Sequence, residues 1–198
     1  MKVTKIVQQQ RRQDRYSIYV DDQYCFSLGE GEFLQSGLVS GRGLTAGEIE
    51  KFKQQSQEGK LYEKMLNLLS FRPRSEWELS DYLKRKKIKP KVIEKILNKL
   101  SKNGYVNDLG FARRWVESRR LLKPTSKRRL RQELLQKRIA PEIIDQVLAA
   151  DETEELEVLK ELVQRKRTRY PDKLKFMQYL ARQGYNYDDI KTVLDELH

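Results

Sequence analysis

Residues 126–148 read SKRRLRQELLQKRIAPEIIDQVL, and their spacing decides the fold. Leu130 and Leu134 stand four apart, as do Ile144 and Leu148, with Ile139 and Pro141 in the break between the two pairs. That period describes two short amphipathic helices joined by a tight turn. The same frame fits two further segments without gaps, starting at Ser75 and Asp172. Position +4 is Leu79, Leu130 and Phe176, and +8 is Leu83, Leu134 and Leu180. Position +13 is Ile88, Ile139 and Tyr185, and +18 is Ile93, Ile144 and Ile190. Leu97, Leu148 and Leu194 close the frame at +22. The starts are 51 and 46 residues apart, a spacing typical of helical repeats.

Punctuation agrees with the period. Arg72-Pro73-Arg74-Ser75, Lys123-Pro124-Thr125-Ser126 and Tyr170-Pro171-Asp172 each stop one helix and offer a capping side chain for the next. Pro90 and Pro141 suit the first turn of the third helix, where a missing N–H costs nothing, and Asn186 offers a cap in the third copy. An upstream helix precedes each pair. The sequence therefore predicts a mainly α chain of three tandem three-helix repeats, over residues 60–106, 107–150 and 151–198, in an elongated curved array.

Before residue 60 the pattern changes. Arg15-Tyr16-Ser17-Ile18-Tyr19-Val20 and Gln23-Tyr24-Cys25-Phe26-Ser27-Leu28 read as strands, with Asp21-Asp22 as a hairpin turn. Lys2 to Gln8 could add a third strand. A lone hairpin is barely stable, so this sheet should pack on a neighbouring helix. Gly29, Gly31, Gly37, Gly41 and Gly43 mark turns in a mobile connection, giving a region 1–44 of β-hairpin and glycine-rich linker. Thr45-Ala46-Gly47-Glu48 has capping-box spacing and opens a linking helix over 45–59, which Gly59 either ends or passes on to the next helix.

Composition limits the functions available. The chain has 198 residues, is 38% hydrophobic and 35% charged, and carries 41 Lys plus Arg against 29 Asp plus Glu, for a net charge of +12. Such a balance suits an array of thin cores and wet surface, and it favours polyanionic partners, nucleic acid first. The cations cluster by repeat: Lys84, Arg85, Lys86 and Lys87; then Arg119, Arg120, Lys127, Arg128 and Arg131; then Arg165, Lys166, Arg167 and Arg169. These are the candidate nucleic-acid or filament contacts, the alternative being solvated helix faces. The acidic run around Asp151 to Glu157 reads as a helix start favoured by the dipole. Tyr16, Tyr19 and Tyr24 on the hairpin are candidate protein contacts, against ordinary sheet packing. Tyr62, Tyr82, Tyr105 and Tyr170 could stack on bases, though at helical spacing aromatics more often pack.

No catalytic constellation is visible. Nucleophilic catalysis usually needs a histidine partner, and His198 is the only one, at the extreme end of the sequence. With Cys25 it cannot build a structural zinc site, so no metal and no cofactor is expected. No phosphate-binding glycine loop occurs. Asp108 reads as the N-cap of the helix holding Phe111 and Trp115, not as a metal ligand; Trp115 is assigned to the core and Trp77 to a half-exposed position. One cysteine, no membrane-length apolar run and no apolar secretion core after Met1-Lys2-Val3 point to a monomeric cytoplasmic protein without enzymatic activity.

Gly104-Tyr105-Val106-Asn107-Asp108, followed by Phe111-Ala112, Trp115 and Ser118-Arg119, resembles the signature of the RecX family of recombinase regulators. The continuation through Ser126, Leu130, Leu134, Ile139, Ile144 and Leu148 does too, and Arg74-Ser75 with Glu78-Leu79 and Tyr82-Leu83 is similar to the family's first repeat. The resemblance covers residues 60–198, and the hairpin region looks like an extension of some members only. One departure stands out. The family's glycine just before +13 is replaced by Lys87 and Arg138 and kept only at Gly184, which suggests helix ends closed without a left-handed cap. The resemblance implies a modular protein lodged in the groove of the RecA filament on single-stranded DNA, inhibiting ATP hydrolysis, strand exchange and co-protease activity. The competing reading is a direct, largely sequence-nonspecific binder of single- or double-stranded DNA, whose three-helix units act like helix-turn-helix modules. A scaffold with no DNA role and a nuclease are weaker alternatives; the latter needs clustered carboxylates the sequence lacks.

Overall fold

The computed structural model describes residues 1–196. Strands β1 (Val3–Gln8), β2 (Arg15–Val20) and β3 (Gln23–Gly29) form an antiparallel sheet in that order, followed by helices α1 (Glu30–Ser36), α2 (Ala46–Phe71), α3 (Glu76–Arg85), α4 (Pro90–Lys102), α5 (Asp108–Leu122), α6 (Lys127–Gln136), α7 (Pro141–Ala149), α8 (Glu155–Lys166), α9 (Lys173–Arg182) and α10 (Tyr187–Glu196). A single 3-10 turn, Arg167–Arg169, follows α8. The chain divides into two compact units. The first holds Met1–Arg72 and Ile88–Leu100; the second holds Pro73–Lys87 and the chain from Ser101 onward.

In the first unit, Asp21 and Asp22 both adopt positive φ (47° and 64°), and Val20 pairs with Gln23 across them. Two left-handed residues in a two-residue loop match the right-handed twist of the flanking strands, and aspartate tolerates that conformation better than most side chains. β3 packs on α2, where Phe26 stacks on Phe52 with centroids 5.4 Å apart. Val3, Ile18, Phe26, Leu28, Leu38, Leu44 and Ile49 make the core. The glycine-rich stretch is not all connection: Glu30–Ser36 is a helix, ended by Gly37 at φ 61°. Nor does Gly59 end a helix, since α2 runs unbroken from Thr45, whose hydroxyl accepts the Glu48 N–H, to Phe71. At Gly59 the Glu32 carboxylate lies close to the helix backbone, 2.7 Å from where a Cβ would stand, a position that flexible side chain could vacate.

The repeat frame is borne out by burial. Its +4, +8 and +18 positions are all buried, and Leu83, Leu134 and Leu180 are each fully so. Only Ile88 at +13 and Leu148 at +22 are half-exposed. The second repeat gathers Phe111, Ala112, Val116, Leu130, Leu134, Ile139, Ile144 and Val147 in one core. The third does the same with Val158, Leu159, Leu162, Val163, Phe176, Leu180, Tyr185, Ile190, Val193 and Leu194. Ser75, Ser126 and Asp172 each cap their helix by accepting the N–H three residues on. Pro90 and Pro141 open α4 and α7, and Asn186 caps α10. The cap of α5 is Asn107, not Asp108: Asn107 Oδ1 accepts the Gly110 N–H at 3.0 Å, which leaves the Asp108 carboxylate for another donor. Trp77 is 39% exposed, and Trp115 is half-buried, stacked on Phe111.

The three helix ends before +13 also differ from the sequence reading. Lys87 and Arg138 are left-handed like Gly184, with φ 58° and 57° against 98°. The turn requires that conformation, and a side chain there costs about 1–2 kcal/mol relative to glycine. Gly184 lies further into the positive region than either, and a Cβ there would lie 2.5 Å from Ser126 Oγ. Leu134→Ala should destabilise the protein by about 2–5 kcal/mol, because it opens a cavity in a core that cannot collapse around it. Urea denaturation with no change in midpoint would break the repeat frame.

Candidate functional site

The second unit is joined repeat to repeat by one device used twice. Ser126 Oγ accepts the Arg129 N–H at 3.1 Å, as a cap should, and donates its own proton to the carbonyl of Gln183 at 2.7 Å. Gln183 is the residue that ends α9. Ser75 does the same, accepting from Glu78 N–H at 3.3 Å and donating to the carbonyl of Lys137, the end of α6, at 3.0 Å. A carboxylate from the next repeat takes the amide beside each cap. Asp108 accepts the Glu76 N–H at 2.9 Å, and Glu155 accepts the Lys127 N–H at 2.8 Å. These contacts place α3 in the second unit, while α4 is held in the first by Lys95 on Glu58 and by Lys99, 4.4 Å over the Tyr62 ring.

Two of the candidate cations, Arg120 and Lys127, are engaged in these joints, and Arg119, Arg131 and Arg165 pair within their own repeats. Arg120 has a side chain only 11% exposed: it donates twice to Asp151 Oδ2, at 3.0 and 2.7 Å, and once to the Thr125 carbonyl at 2.6 Å. Lys127 Nζ donates to the Asp151 carbonyl at 2.9 Å. Arg131 pairs with Asp145 and Arg165 with Glu161. Arg119 donates to Glu133 at 2.8 Å while its guanidinium lies 4.5 Å over the Trp115 ring. Lys137, which the sequence reading passed over, reaches the same ring at 5.3 Å and bridges to Glu78 at 2.8 Å. Asp151 and Glu155 of the acidic run thus bind the preceding repeat, while Glu155 and Glu157 also stand in the first turn of α8, where its dipole favours them. Burial alone would raise the pKa of Asp151, but hydrogen bonds from Thr153 and Arg120, with the Arg120 charge, hold it below the ordinary value of 3.8.

The remaining candidates face solvent. Lys84, Arg85, Lys86 and Lys87 are all exposed at the end of α3; Arg85 pairs with Asp81, and the three lysines pair with no carboxylate among the described residues. Arg128, Arg167 and Arg169 are exposed, and Lys166 is half-buried. On the sheet, Tyr16 is half-buried and stacked on Phe33 at 4.4 Å, Tyr19 meets Tyr24 edge-on at 6.0 Å, and Tyr24 is 53% exposed. His198 lies outside the described residues. Among the described residues no three His, Cys, Asp or Glu side chains are grouped to hold a metal ion, and no helix is long and apolar enough to cross a membrane.

Domain models of one family tile the chain in order. Residues 1–45 match the N-terminal domain of regulatory protein RecX, and residues 62–100, 107–148 and 152–194 match the first, second and third RecX three-helix domains. Regulatory protein RecX of Listeria monocytogenes serotype 4a is 35% identical over 205 residues, covering 99% of this chain and 76% of that one. This chain belongs to the RecX family. A RecX of Listeria welshimeri is 40% identical over 150 residues, which is 75% of this chain and 55% of that protein. A crystal structure of regulatory protein RecX superposes with a TM-score of 0.80 at 28% identity over 98% of each chain. RecX from Lactobacillus salivarius gives 0.61 at 28% identity, over 71% of this chain and 96% of the other. The resemblance therefore reaches beyond residues 60–198, because the sheet-bearing N-terminus is a RecX domain in its own right.

Two outcomes test the RecX joint. Ser126→Asp keeps a capping oxygen but has no proton for the Gln183 carbonyl, so hydrogen exchange should speed up in α9 and α10 while α6 keeps its protection. Equal protection in all three would show the joint to be idle. The lowered Asp151 pKa contributes stability that is present above the ordinary carboxylate value and lost as pH falls through the depressed one. Arg120→Gln should shrink that acid limb in a pH series of melting temperatures, leaving the part due to Thr153, and an unchanged limb would place its origin elsewhere.

Proposed function

We propose that this chain binds the RecA filament on single-stranded DNA and restrains its ATP hydrolysis, strand exchange and co-protease activity, acting as a cytoplasmic monomer without catalysis of its own. The observation that carries this reading is the ordered match of all four RecX domains along the chain. Charge supports it: +12 overall, with Lys84, Lys86 and Lys87 exposed and without a carboxylate partner among the described residues, where phosphates could reach them. Their three like charges at the end of α3 interact well with its dipole, so the helix tolerates them without carboxylate partners. Direct, sequence-nonspecific DNA binding is the second reading, and the same exposed lysines favour it. The two readings separate by what RecA adds.

The deciding measurement is ATP hydrolysis by RecA on single-stranded DNA, titrated with this protein. The expected result is a progressive fall in rate at protein concentrations too low to coat the free DNA; no slowing at any concentration would overturn the filament reading. For the DNA-binding surface itself, replacing Lys84, Lys86 and Lys87 with Gln should weaken binding to unrelated oligonucleotides equally. It should also flatten the salt dependence by roughly 0.7 for each single-strand phosphate that a lysine no longer neutralises. An unchanged slope would return these lysines to the solvated surface.

A further inference from the structure

The last turn of α5 ends in Leu121 and Leu122, which are 78% and 71% exposed. Nothing in the repeat's own packing uses them. The core takes Phe111, Ala112 and Val116 from this helix, and the last turn is anchored through Arg120 on Asp151 and Arg119 on Glu133. Lys123 follows directly and Arg128 stands just past the cap, both exposed and both without a carboxylate partner among the described residues. Single exposed leucines are ordinary, but the same corner carries exposed apolar residues in the other two repeats, at neighbouring positions. Four residues before the cap, Leu122 is matched in the first repeat by Phe71, 84% exposed. Two residues after it, Trp77 and Leu174 are 39% and 64% exposed in the first and third repeats. Each turn from first to second helix thus shows large apolar side chains among cations.

We infer that Leu121 and Leu122, with the exposed cations Lys123 and Arg128 close by in the sequence, dock into an apolar hollow bordered by carboxylates on a protein partner. The inference rests on the filament reading, with the RecA protomer as that partner. Two features favour protein over nucleic acid. Aliphatic side chains have no π face on which bases stack, so leucines add little to a single-strand platform. An apolar centre with a charged rim is the pattern of a protein interface, in which buried anchors supply affinity and rim charges supply steering. The cations require the rim of the partner to be acidic, and the pair of leucines requires its centre to be hollow.

The experiment uses the full chain with Leu121→Ser and Leu122→Ser together. Affinity is measured at one salt concentration for an oligonucleotide coated with RecA and for the same oligonucleotide bare, alongside a thermal melt. The expected result is a roughly tenfold or greater loss on the filament, with bare-DNA affinity and melting temperature unchanged. Unchanged filament affinity would make the leucines idle surface, and a parallel loss on bare DNA would assign them to nucleic acid; either overturns the inference. If the double variant melts early, Leu122→Asn alone, read by the same two affinities, decides between the same outcomes. A wild-type chain that gains nothing from RecA on the oligonucleotide would sink the filament reading and this surface with it, whereas wild-type binding with unimpaired variants sinks the surface only.

Discussion

A buried serine hydroxyl has one proton and two lone pairs, and leaving the proton without an acceptor costs free energy. As an N-cap, Ser126 uses a lone pair; the proton then needs an acceptor, and the carbonyl at the end of α9 supplies it. That carbonyl is one of the orphans every helix leaves at its C-terminus. One hydroxyl therefore satisfies two helices from different repeats, and Ser75 repeats the arrangement with α6. The geometry brings the negative end of one helix dipole to the positive end of another, which is the favourable sense. At Gly184 the approach is tight enough that a Cβ would lie 2.5 Å from Ser126 Oγ, whereas the Ser75 joint accommodates Arg138. The third cap is Asp172, and an ionised carboxylate accepts the Lys175 N–H without having a proton to pass on.

This joint also explains the odd charge at the start of α6. Lys127-Arg128-Arg129 places cations at the positive end of a helix, the wrong sense for the dipole. Glu155 on the Lys127 amide and Asp151 on Arg120 bring carboxylates from the next repeat to that end, offsetting the repulsion. Positive charge in this chain therefore has two uses. Arg120 and Lys127 hold repeats together, whereas Lys84, Lys86 and Lys87 remain open to a polyanion. The burial of Tyr185 beside the same joint has a cost: its hydroxyl has no hydrogen-bond partner among the described residues, and burial pushes its pKa well up.

The N-terminal unit depends on a different buried charge. The Arg15 side chain is 1% exposed, and its guanidinium reaches Glu63 on α2 as well as the carbonyl and hydroxyl of Ser27, at 3.0 and 3.1 Å. A guanidinium taken out of water needs such partners, and supplying them from both β3 and α2 fixes the sheet on the helix. Arg12 adds a second, exposed contact to the same glutamate at 2.8 Å. Sheet and long helix thus belong to one compact unit.

Periodicity was enough to place the helices, caps and buried leucines of the three repeats, because amphipathic spacing, proline position and capping side chains act within a few residues of chain. Val3, Phe26 and the Asp21-Asp22 turn were legible for the same reason. What sequence could not supply was the partner of each polar group. Arg120 and Lys84 look alike in a count of cations, yet one lies against Asp151, 31 residues away, and the other lies in water. Asp108 and Asn107 are equally good caps by type, and the choice fell to a Glu76 amide 32 residues distant. The left-handed turns at Lys87 and Arg138 were likewise set by the path the chain takes between two packed helices, not by the residues there. Local sequence determined where each helix begins and what it buries; only the tertiary structure decided which charges bind the protein to itself and which face outward, because electrostatic pairing depends on distance in space and the sequence records distance along the chain.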